Sequence, residues 1–133
     1  MSLETIRLSQ KAKDRLIVLK RYTGVTQWNI LCRWALCRSL QEPTTPSGHE
    51  IKLDSNVEIA WSTFGGEQAS VYLALLKMRC VQDGLELSIE NLQDQLTAHM
   101  HRGINYLFTE IESVDEFLVI STEVEDSGER PAT

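Results

Sequence analysis

The sequence predicts a mainly α-helical protein in which a strand, a helix and a second helix are followed by further helices in one compact domain. Apolar residues recur at intervals of three and four over most of the chain, which is typical of amphipathic helices. Period-two alternation, which is typical of strands, occurs in only two short stretches. The length of 133 residues is also the usual size of a single domain.

A strand and a first helix account for the N-terminus. Residues 5–8 alternate between polar and apolar side chains, which predicts a short strand with Ile6 and Leu8 on one side. Ser9 is a good N-cap because its hydroxyl can accept a free backbone N–H of the first helical turn. The helix that follows is expected to end near Tyr22. Its apolar face consists of Ala12, Leu16 and Leu19.

The second helix is predicted to be a central element of the fold. Gly24 suits the left-handed position after the first helix, and Thr26 offers the N-cap of a helix that runs to Leu40. Apolar residues occupy much of its circumference, so we expect it to be buried on most sides, with Trp34 in the core. The segment 42–48 contains two prolines, which cannot continue a helix, and it is predicted to be a loop.

The chain after this loop is predicted to add a second strand and a third helix. Alternation between Val57 and Trp61 favours the strand, although a helical turn after Asp54 also fits the pattern. Two glycines then interrupt the alternation, and residues 67–81 return to helical periodicity.

A fourth helix and an acidic tail complete the predicted chain. The helix is capped by Ser88 and continues to Phe108, and Gly103 within it is either tolerated or marks a close contact. From residue 110 onward there are eight acidic residues and one arginine. The predicted domain covers residues 1–120, with the strand–helix–helix unit at 5–40 and the helical remainder at 41–108, and residues 121–133 are expected to be a mobile acidic tail.

The charge of the chain is distributed unevenly. Residues 1–40 carry eight Lys or Arg and two acidic residues, whereas the remainder carries five basic and 17 acidic residues, which gives net charges of +6 and −12. DNA binding depends on neutralising phosphates with Lys and Arg. The asymmetry therefore indicates an N-terminal segment that faces nucleic acid, with an ordinary solvated helix face as the alternative.

Six basic residues of the strand and the first helix are predicted to contact DNA. Several of them lie off the apolar face of the helix, where they can make sequence-independent contacts with phosphates. Arg33 and Arg38 lie on the more buried second helix and are expected to make contacts within the chain or with another subunit. The six predicted DNA contacts are Arg7, Lys11, Lys13, Arg15, Lys20 and Arg21.

The order of these elements also matches the ribbon-helix-helix (Arc/MetJ-like) arrangement, in which two chains pair their strands and insert the ribbon into the major groove. In that geometry Thr5 and Arg7 would face base edges, and backbone N–H groups near Thr26 and Gln27 would face a phosphate. A ribbon-helix-helix transcriptional regulator is therefore the alternative to a phosphate-directed protein. An ordinary N-terminal hairpin that packs on the domain is the structural alternative.

The sequence contains no motif that predicts catalysis, a metal site or a cofactor, and we expect none of the three. Phosphate-binding glycine loops, nucleophile elbows and zinc-protease helices are all absent from it. His99 and His101 would diverge by about 200° on a helix, which spoils a shared metal site. We expect Cys32, Cys37 and Cys80 to be buried free thiols, with an enzyme that carries sulfur on a cysteine as the alternative.

Several stretches, taken in order, resemble the DndE family of DNA phosphorothioation systems. The likeness runs over about residues 5–108, and none of the stretches is a catalytic signature. They are residues 6–16 (IRLSQKAKDRL), 27–40 (QWNILCRWALCRSL), 64–67 (FGGE), 72–80 (YLALLKMRC) and 99–104 (HMHRGI).

The resemblance implies a small subunit of the machinery that replaces a non-bridging oxygen of a DNA phosphate with sulfur. A cysteine desulfurase, a reductase-like sulfur carrier and an ATPase would be its partners and would perform the chemistry. It also implies a mostly helical homotetramer that binds duplex DNA, particularly nicked duplex. We therefore expect a non-catalytic DNA-binding subunit in the cytoplasm, not a membrane protein, with the acidic segment from Glu110 lying beyond the part that resembles the family.

Overall fold

A computed structural model of the chain describes residues 3–48 and 50–126, with the backbone alone for residues 115–126. The described part is mainly helical, with a short antiparallel strand pair, and this confirms the predicted fold class. In chain order the elements are β1 (Thr5–Arg7), α1 (Gln10–Thr23), α2 (Trp28–Leu40), β2 (Glu58–Ala60), α3 (Trp61–Gly65), a 3₁₀ turn (Gly66–Gln68), α4 (Ala69–Gln82) and α5 (Ile89–Asp126).

The two strands form a ribbon within one chain. β1 and β2 are antiparallel, with Ile6 opposite Ile59. The inner side chain of Ile6 is buried, as the alternation predicted. On the other edge of β1 the side-chain amide of Gln93, from α5, donates to the carbonyl of Thr5 at 2.9 Å. The first strand therefore has its strand partner in the same chain, whereas a ribbon-helix-helix protein takes one strand from each of two chains.

Helix α1 begins and ends where the local sequence predicts. The hydroxyl of Ser9 accepts the N–H of Ala12 at 3.0 Å. The carboxylate of Asp54, from the loop before β2, accepts the N–H of Gln10 at 2.8 Å and so occupies a second free donor of the first turn. Gly24 ends the helix with a φ of 75°, a left-handed conformation in which glycine pays no steric penalty.

Helix α2 departs from the prediction in two respects. Its N-cap is Gln27 rather than Thr26, and no side chain caps it. Trp34 was expected in the core, but 48% of its surface is exposed. The buried positions of α2 lie on one side of the helix, and Trp34 points about 130° away from the centre of that side. Those buried positions are Leu31, Cys32, Ala35, Leu36 and Ser39.

Helix α5 is the longest element and contacts β1, α1, α2 and α4. Gly103 lies where α5 crosses α2, and a Cβ at this position would be only 1.7 Å from the carbonyl oxygen of Ala35. The sequence allowed two interpretations of Gly103, a tolerated glycine or a close contact, and the structure shows the close contact.

Helix α5 continues to Asp126, past the end expected near Phe108 and into the segment expected to be a tail. Residues 127–133 lie outside the described part of the chain.

The second half of the fold differs from the prediction at Trp61. This residue was assigned to the second strand, but it begins α3, and α3 with the 3₁₀ turn leads directly into α4. The ring of Phe64 is fully buried and lies 5.3 Å from the rings of Trp61 and Tyr72, which joins α3 to α4. Among the described helices, none is long and apolar enough to cross a membrane.

Candidate nucleic-acid interface

The basic residues of α1 lie on both sides of its buried face. Ala12, Leu16 and Leu19 are buried and define that face. From the helical repeat, Lys11 and Arg15 lie on one flank, and Lys13 and Lys20 lie on the other, about 10 Å apart along the axis. Arg21 points away from the core. The predicted DNA contacts thus straddle the exposed side of α1 instead of forming a single row.

Three of these cations are exposed and have no hydrogen bond or salt bridge with any residue that the structure describes. They are Lys11, near the start of α1, and Lys20 and Arg21, in its last turn. A lysine or arginine in the last turn also stabilises the helix through its dipole. Because no carboxylate neutralises them, all three are available to an external anion.

The other three predicted contacts are held by neighbouring side chains. Lys13 donates to the side-chain oxygen of Asn56 at 2.6 Å. Arg7 is 62% exposed and lies 3.3 Å from the carboxylate of Glu58, a surface pair of the kind that contributes little to stability.

Arg15 is held more firmly than Lys13 or Arg7. Its guanidinium donates to the side-chain oxygen of Asn105 at 2.5 Å, and it lies over the ring of Phe108 at 5.1 Å from the ring centre. A cation in this position keeps its charge but has fewer free donors to offer a phosphate.

The structure adds Lys52, which the sequence did not single out. Lys52 is exposed, and both of its neighbours in the loop line hollows together with predicted DNA contacts. Ile51 lines a small hollow with Lys11 and Arg15, whereas Leu53 lines a groove with Arg7. The loop reaches this place because Asp54 caps α1, a long-range contact that sequence periodicity does not reveal. We call Arg7, Lys11, Lys13, Arg15, Lys20, Arg21 and Lys52 the basic surface.

A second group of basic residues is occupied inside the protein. Arg79 is 7% exposed and makes a two-oxygen contact with Asp83 at 3.1 Å. The rest of its guanidinium donates to the carbonyl of Leu40, the last residue of α2, and to those of Glu42 and Thr44 in the loop that follows. The sequence signal for this role is the spacing: Arg79 follows the buried Leu76 by three residues and therefore lies on the core-facing side of α4.

Arg102 and His99 extend this interior network on α5. Arg102 donates to the hydroxyl of Ser39 at 2.8 Å and to the carbonyls of Ser39 and Thr44 at 2.9 Å. The hydroxyl of Ser39 also lies 2.8 Å from Nδ1 of His99. Burial, and after it the positive charges of Arg102 and Arg79, lower the pKa of His99 to about 4.

The serine–histidine pair of this network does not offer a nucleophile to a substrate. Both Ser39 and His99 are fully buried. The remaining ring nitrogen of His99, Nε2, is buried and has no hydrogen-bond partner among the described residues. A buried neutral imidazole avoids the cost of an uncompensated charge between two guanidinium groups.

His101 connects α5 to the start of α1. Its Nε2 accepts the backbone N–H of Ser9 at 3.0 Å, while Nδ1 lies 2.8 Å from the carbonyl of Thr97. Nε2 must be unprotonated to accept this bond, so Nδ1 carries the proton and donates it. Burial accordingly lowers the pKa of His101, although the hydrogen bond to Thr97 opposes this shift.

The cysteines and histidines do not form a metal site within the described part of the chain, where no three potential ligands lie together. Cys32 and Cys80 are buried as expected, but Cys37 is exposed, which corrects the expectation for that thiol. Burial raises the pKa of Cys32 to about 12 and also raises the pKa values of Cys37 and Cys80. These environments favour thiols over the reactive thiolate.

Arg33 and Arg38 make the internal contacts that were expected of them. The guanidinium of Arg33 donates to the carbonyls of Phe64 and Thr63. Arg38 lies 2.6 Å from the carboxylate of Glu110 and stacks on the ring of Tyr106. Neither residue belongs to the basic surface.

Comparisons with known proteins give a consistent result. The family model described as DNA sulphur modification protein DndE matches residues 5–115. The crystal structure of DndE from Escherichia coli B7A, involved in DNA phosphorothioation modification, is 32% identical with a TM-score of 0.66, over 80% of this chain and 98% of that chain. The crystal structure of a mutant DndE involved in DNA phosphorothioation is 26% identical with a TM-score of 0.62, over 80% and 97% of the two chains. No curated protein matches the chain.

Proposed function

The chain belongs to the DndE family of DNA sulphur modification proteins, and on this premise we propose that it is the non-catalytic, DNA-binding subunit of a DNA phosphorothioate modification system. It contacts the backbone of duplex DNA, including nicked duplex, through the basic surface. The cysteine desulfurase, the reductase-like protein and the ATPase of the system perform the chemistry beside it in the cytoplasm.

The observation that carries this proposal is the set of unpaired cations on α1. Lys11, Lys20 and Arg21 are exposed and have no carboxylate partner within the described residues, although the chain as a whole has a net charge of −6. Positive charge left unpaired on an otherwise acidic protein favours a polyanionic ligand. The charges lie on a helix exterior, which suits contacts with phosphates better than reading of base edges.

The proposal is tested with the triple variant Lys11→Gln, Lys20→Gln, Arg21→Gln. Fluorescence anisotropy with intact, nicked and single-stranded DNA should give a Kd at least about tenfold weaker than that of the wild type, and a salt slope smaller by about 2 to 3. Lys77→Gln, which removes a lysine from α4, is the matched control and should bind normally. Unchanged binding by the triple variant would move the interface elsewhere.

A ribbon-helix-helix regulator is not favoured by the geometry of β1. The strand pairs with β2 of its own chain, and Gln93 occupies the carbonyl of Thr5 on the other edge. A regulator would prefer its operator over random duplex by about a thousandfold or more. The proposed function instead predicts nearly equal affinity for duplexes of different sequence.

We also propose that the chain acts as a homo-oligomer, and the family resemblance implies a tetramer. The support from this chain is the outer face of α4. Its large apolar residues are 37–61% exposed, and none of the exposed positions of α4 carries a charge. Exposed apolar faces of this kind mark interaction sites. The large apolar residues of this face are Val71, Leu75, Met78 and Val81.

A second copy of the chain is the partner that suits this face. Two antiparallel copies of α4 related by a two-fold axis at Met78 place Leu75 against Val81, and the exposed positions that meet there carry no charge. The double variant Leu75→Glu, Met78→Glu should then lower the mass measured by light scattering. Ile17→Glu, an equally exposed apolar position on α1, is the control and should leave the mass unchanged.

A further inference from the structure

A small hollow lies beside the start of α1, between that helix, α5 and the loop before β2. Its volume is about 200 Å³, below the roughly 300–1,000 Å³ of sites that take drug-sized ligands. Its bottom is apolar, because Ala12 and Ile104 line it and are both buried. The hollow is therefore suited to a small group. The residues that give it its character are Lys11, Ala12, Arg15, Ile51, His101 and Ile104.

Two cations flank the hollow, and none of the described residues that line it is acidic. Lys11 and Arg15 are four residues apart on α1, so their side chains are neighbours on the helix surface. Like charges at this spacing repel each other and weaken a helix slightly. A negatively charged group placed between them would remove this repulsion.

The other polar groups beside the hollow are already occupied. Both ring nitrogens of His101 are hydrogen-bonded, one of them to the N–H of Ser9. The hydroxyl of Ser9 accepts the N–H of Ala12. The carboxylate of Asp54, at the same end of α1, accepts the N–H of Gln10. An anion in the hollow would therefore be held by the two side-chain cations and not by His101 or by the capped start of the helix.

The two cations differ in mobility. The guanidinium of Arg15 donates to Asn105 and lies over the ring of Phe108, which fixes its position and leaves further N–H donors. Lys11 is exposed and has no partner among the residues that the structure describes. A fixed cation lowers the entropic cost of binding, and a mobile one can close over the bound group.

The charge of the hollow matches a terminal phosphate better than a phosphate inside a strand. Each internal phosphate is a diester with one negative charge. A phosphate monoester carries about 1.5 to 2 negative charges at pH 7, close to the two positive charges of Lys11 and Arg15. A terminal phosphate is also linked to the strand on one side only, so it can enter a space bounded by two helices and a loop.

We propose that this hollow binds the terminal phosphate of a DNA strand, at a nick or a duplex end, through Lys11 and Arg15. This inference rests on the proposed function and deepens it. Lys20, about 14 Å further along α1, contacts phosphates inside the strands, whereas the hollow recognises a strand end.

The test measures fluorescence anisotropy with three nicked duplexes of one sequence, whose outer ends are closed by hairpins. The nick carries a 5′-phosphate, a 3′-phosphate or hydroxyls alone. At about 50 mM salt the wild type should bind at least one phosphate duplex about fivefold more tightly than the hydroxyl duplex, and the difference should shrink as salt rises. The duplex that binds more tightly identifies which strand end enters the hollow.

Two single variants assign the preference to the hollow. Lys11→Gln removes one of the flanking charges, so its preference for the phosphate duplex should fall below about twofold. Lys20→Gln is the matched control, because Lys20 lies on the same helix but outside the hollow. It should weaken the binding of all three duplexes and keep the fivefold ratio, and melting temperatures check that both variants are folded.

Equal wild-type Kd values for the phosphate and hydroxyl duplexes overturn the inference. A preference that survives Lys11→Gln, or that is lost equally in Lys20→Gln, also overturns it. In each of these cases the duplexes still bind, and the proposed function stands. If the wild type binds none of the duplexes, the proposed function fails and the inference falls with it.

Discussion

The outer side of α1 and the interior around Arg79 both contain basic residues, but they use the positive charge in opposite ways. On α1, Lys20 and Arg21 have no partner among the described residues. In the interior, the guanidinium of Arg79 is bound by a carboxylate and by backbone carbonyls. The charge of the first group is available to a ligand, whereas that of the second is used to hold a loop.

The difference shows that counting basic residues does not locate a binding surface. Arginine suits both roles because its planar fork can bind a phosphate or several carbonyls. Arg79 and Arg102 together fix the loop after α2 through the carbonyl of Thr44. The two regions differ in burial and in the number of hydrogen-bond acceptors around the basic side chains. Substitutions can therefore alter one region without altering the other.

The largest expected effect comes from removing the interior guanidinium. Arg79→Met would leave Asp83 buried without its partner and would remove the donor from the carbonyls of Leu40 and Glu42, whereas the carbonyl of Thr44 would keep its hydrogen bond from Arg102. We expect the free energy of unfolding in urea to fall by about 3 to 5 kcal/mol. The DNA affinity of the folded variant should change less than twofold. Arg38→Met, which breaks a more exposed pair with Glu110, is the control. An equal loss of unfolding free energy in both variants would contradict the prediction that the buried guanidinium contributes more to stability.

Acid should weaken the interior next. The pKa of His99 in the folded protein is lowered to about 4, below the 6.5 of an unperturbed histidine, so the unfolded chain binds the proton more readily. The stability that depends on neutral His99 is therefore complete above about pH 6.5 and is lost as the pH falls toward 4, at most about 3 kcal/mol. Urea denaturation from pH 7.5 to 4.5 should show this decline. The variant His99→Gln should lose less unfolding free energy over this pH range than the wild type. An equal loss in the two proteins would mean that groups other than His99 cause the decline.

A smaller effect separates two cations within the basic surface. Arg15 contacts Asn105 and Phe108, whereas Lys11 has no partner among the residues described. Arg15→Met should cost about 1 kcal/mol of stability because it removes a cation–π contact and a hydrogen bond. Lys11→Met should weaken DNA binding and leave the melting temperature nearly unchanged. Equal changes in melting temperature in the two variants would show that the contacts of Arg15 with Asn105 and Phe108 do not stabilise the fold.

The smallest expected effect is a gain. Glu58 lies 3.3 Å from Arg7 and forms a salt bridge with it at the β1 end of the basic surface. Glu58→Gln removes its negative charge and should tighten binding to duplex about twofold at low salt, with stability unchanged within about 0.5 kcal/mol. Weaker binding in an anisotropy titration would mean that the pair orients Arg7 for DNA.

Local signals made the N-terminal unit predictable from the sequence. The alternation at β1, the hydroxyl of Ser9 and the conformational freedom of Gly24 each act within a few residues, and each is found in the structure. The close approach at Gly103 was also suggested by a glycine inside a helical pattern.

Features that depend on distant partners were not predictable in the same way. Trp34 looked like a core residue because α2 is apolar on several sides, and only the position of its neighbours decides which side is buried. Lys52 joins the basic surface through a loop contact between Asp54 and Gln10, 44 residues apart. The length of α5 depends on residues whose acidic composition favoured an unstructured tail.

The bond from Gln93 to the carbonyl of Thr5 has a consequence for keeping the chains apart. An open strand edge offers a template on which other chains can stack, and proteins protect such edges to avoid aggregation. Here one side chain from α5 occupies an acceptor on the outer edge of β1. On the proposed function, which gathers many copies along one DNA molecule at high local concentration, this amide would help to keep the ribbons of neighbouring copies from pairing with each other.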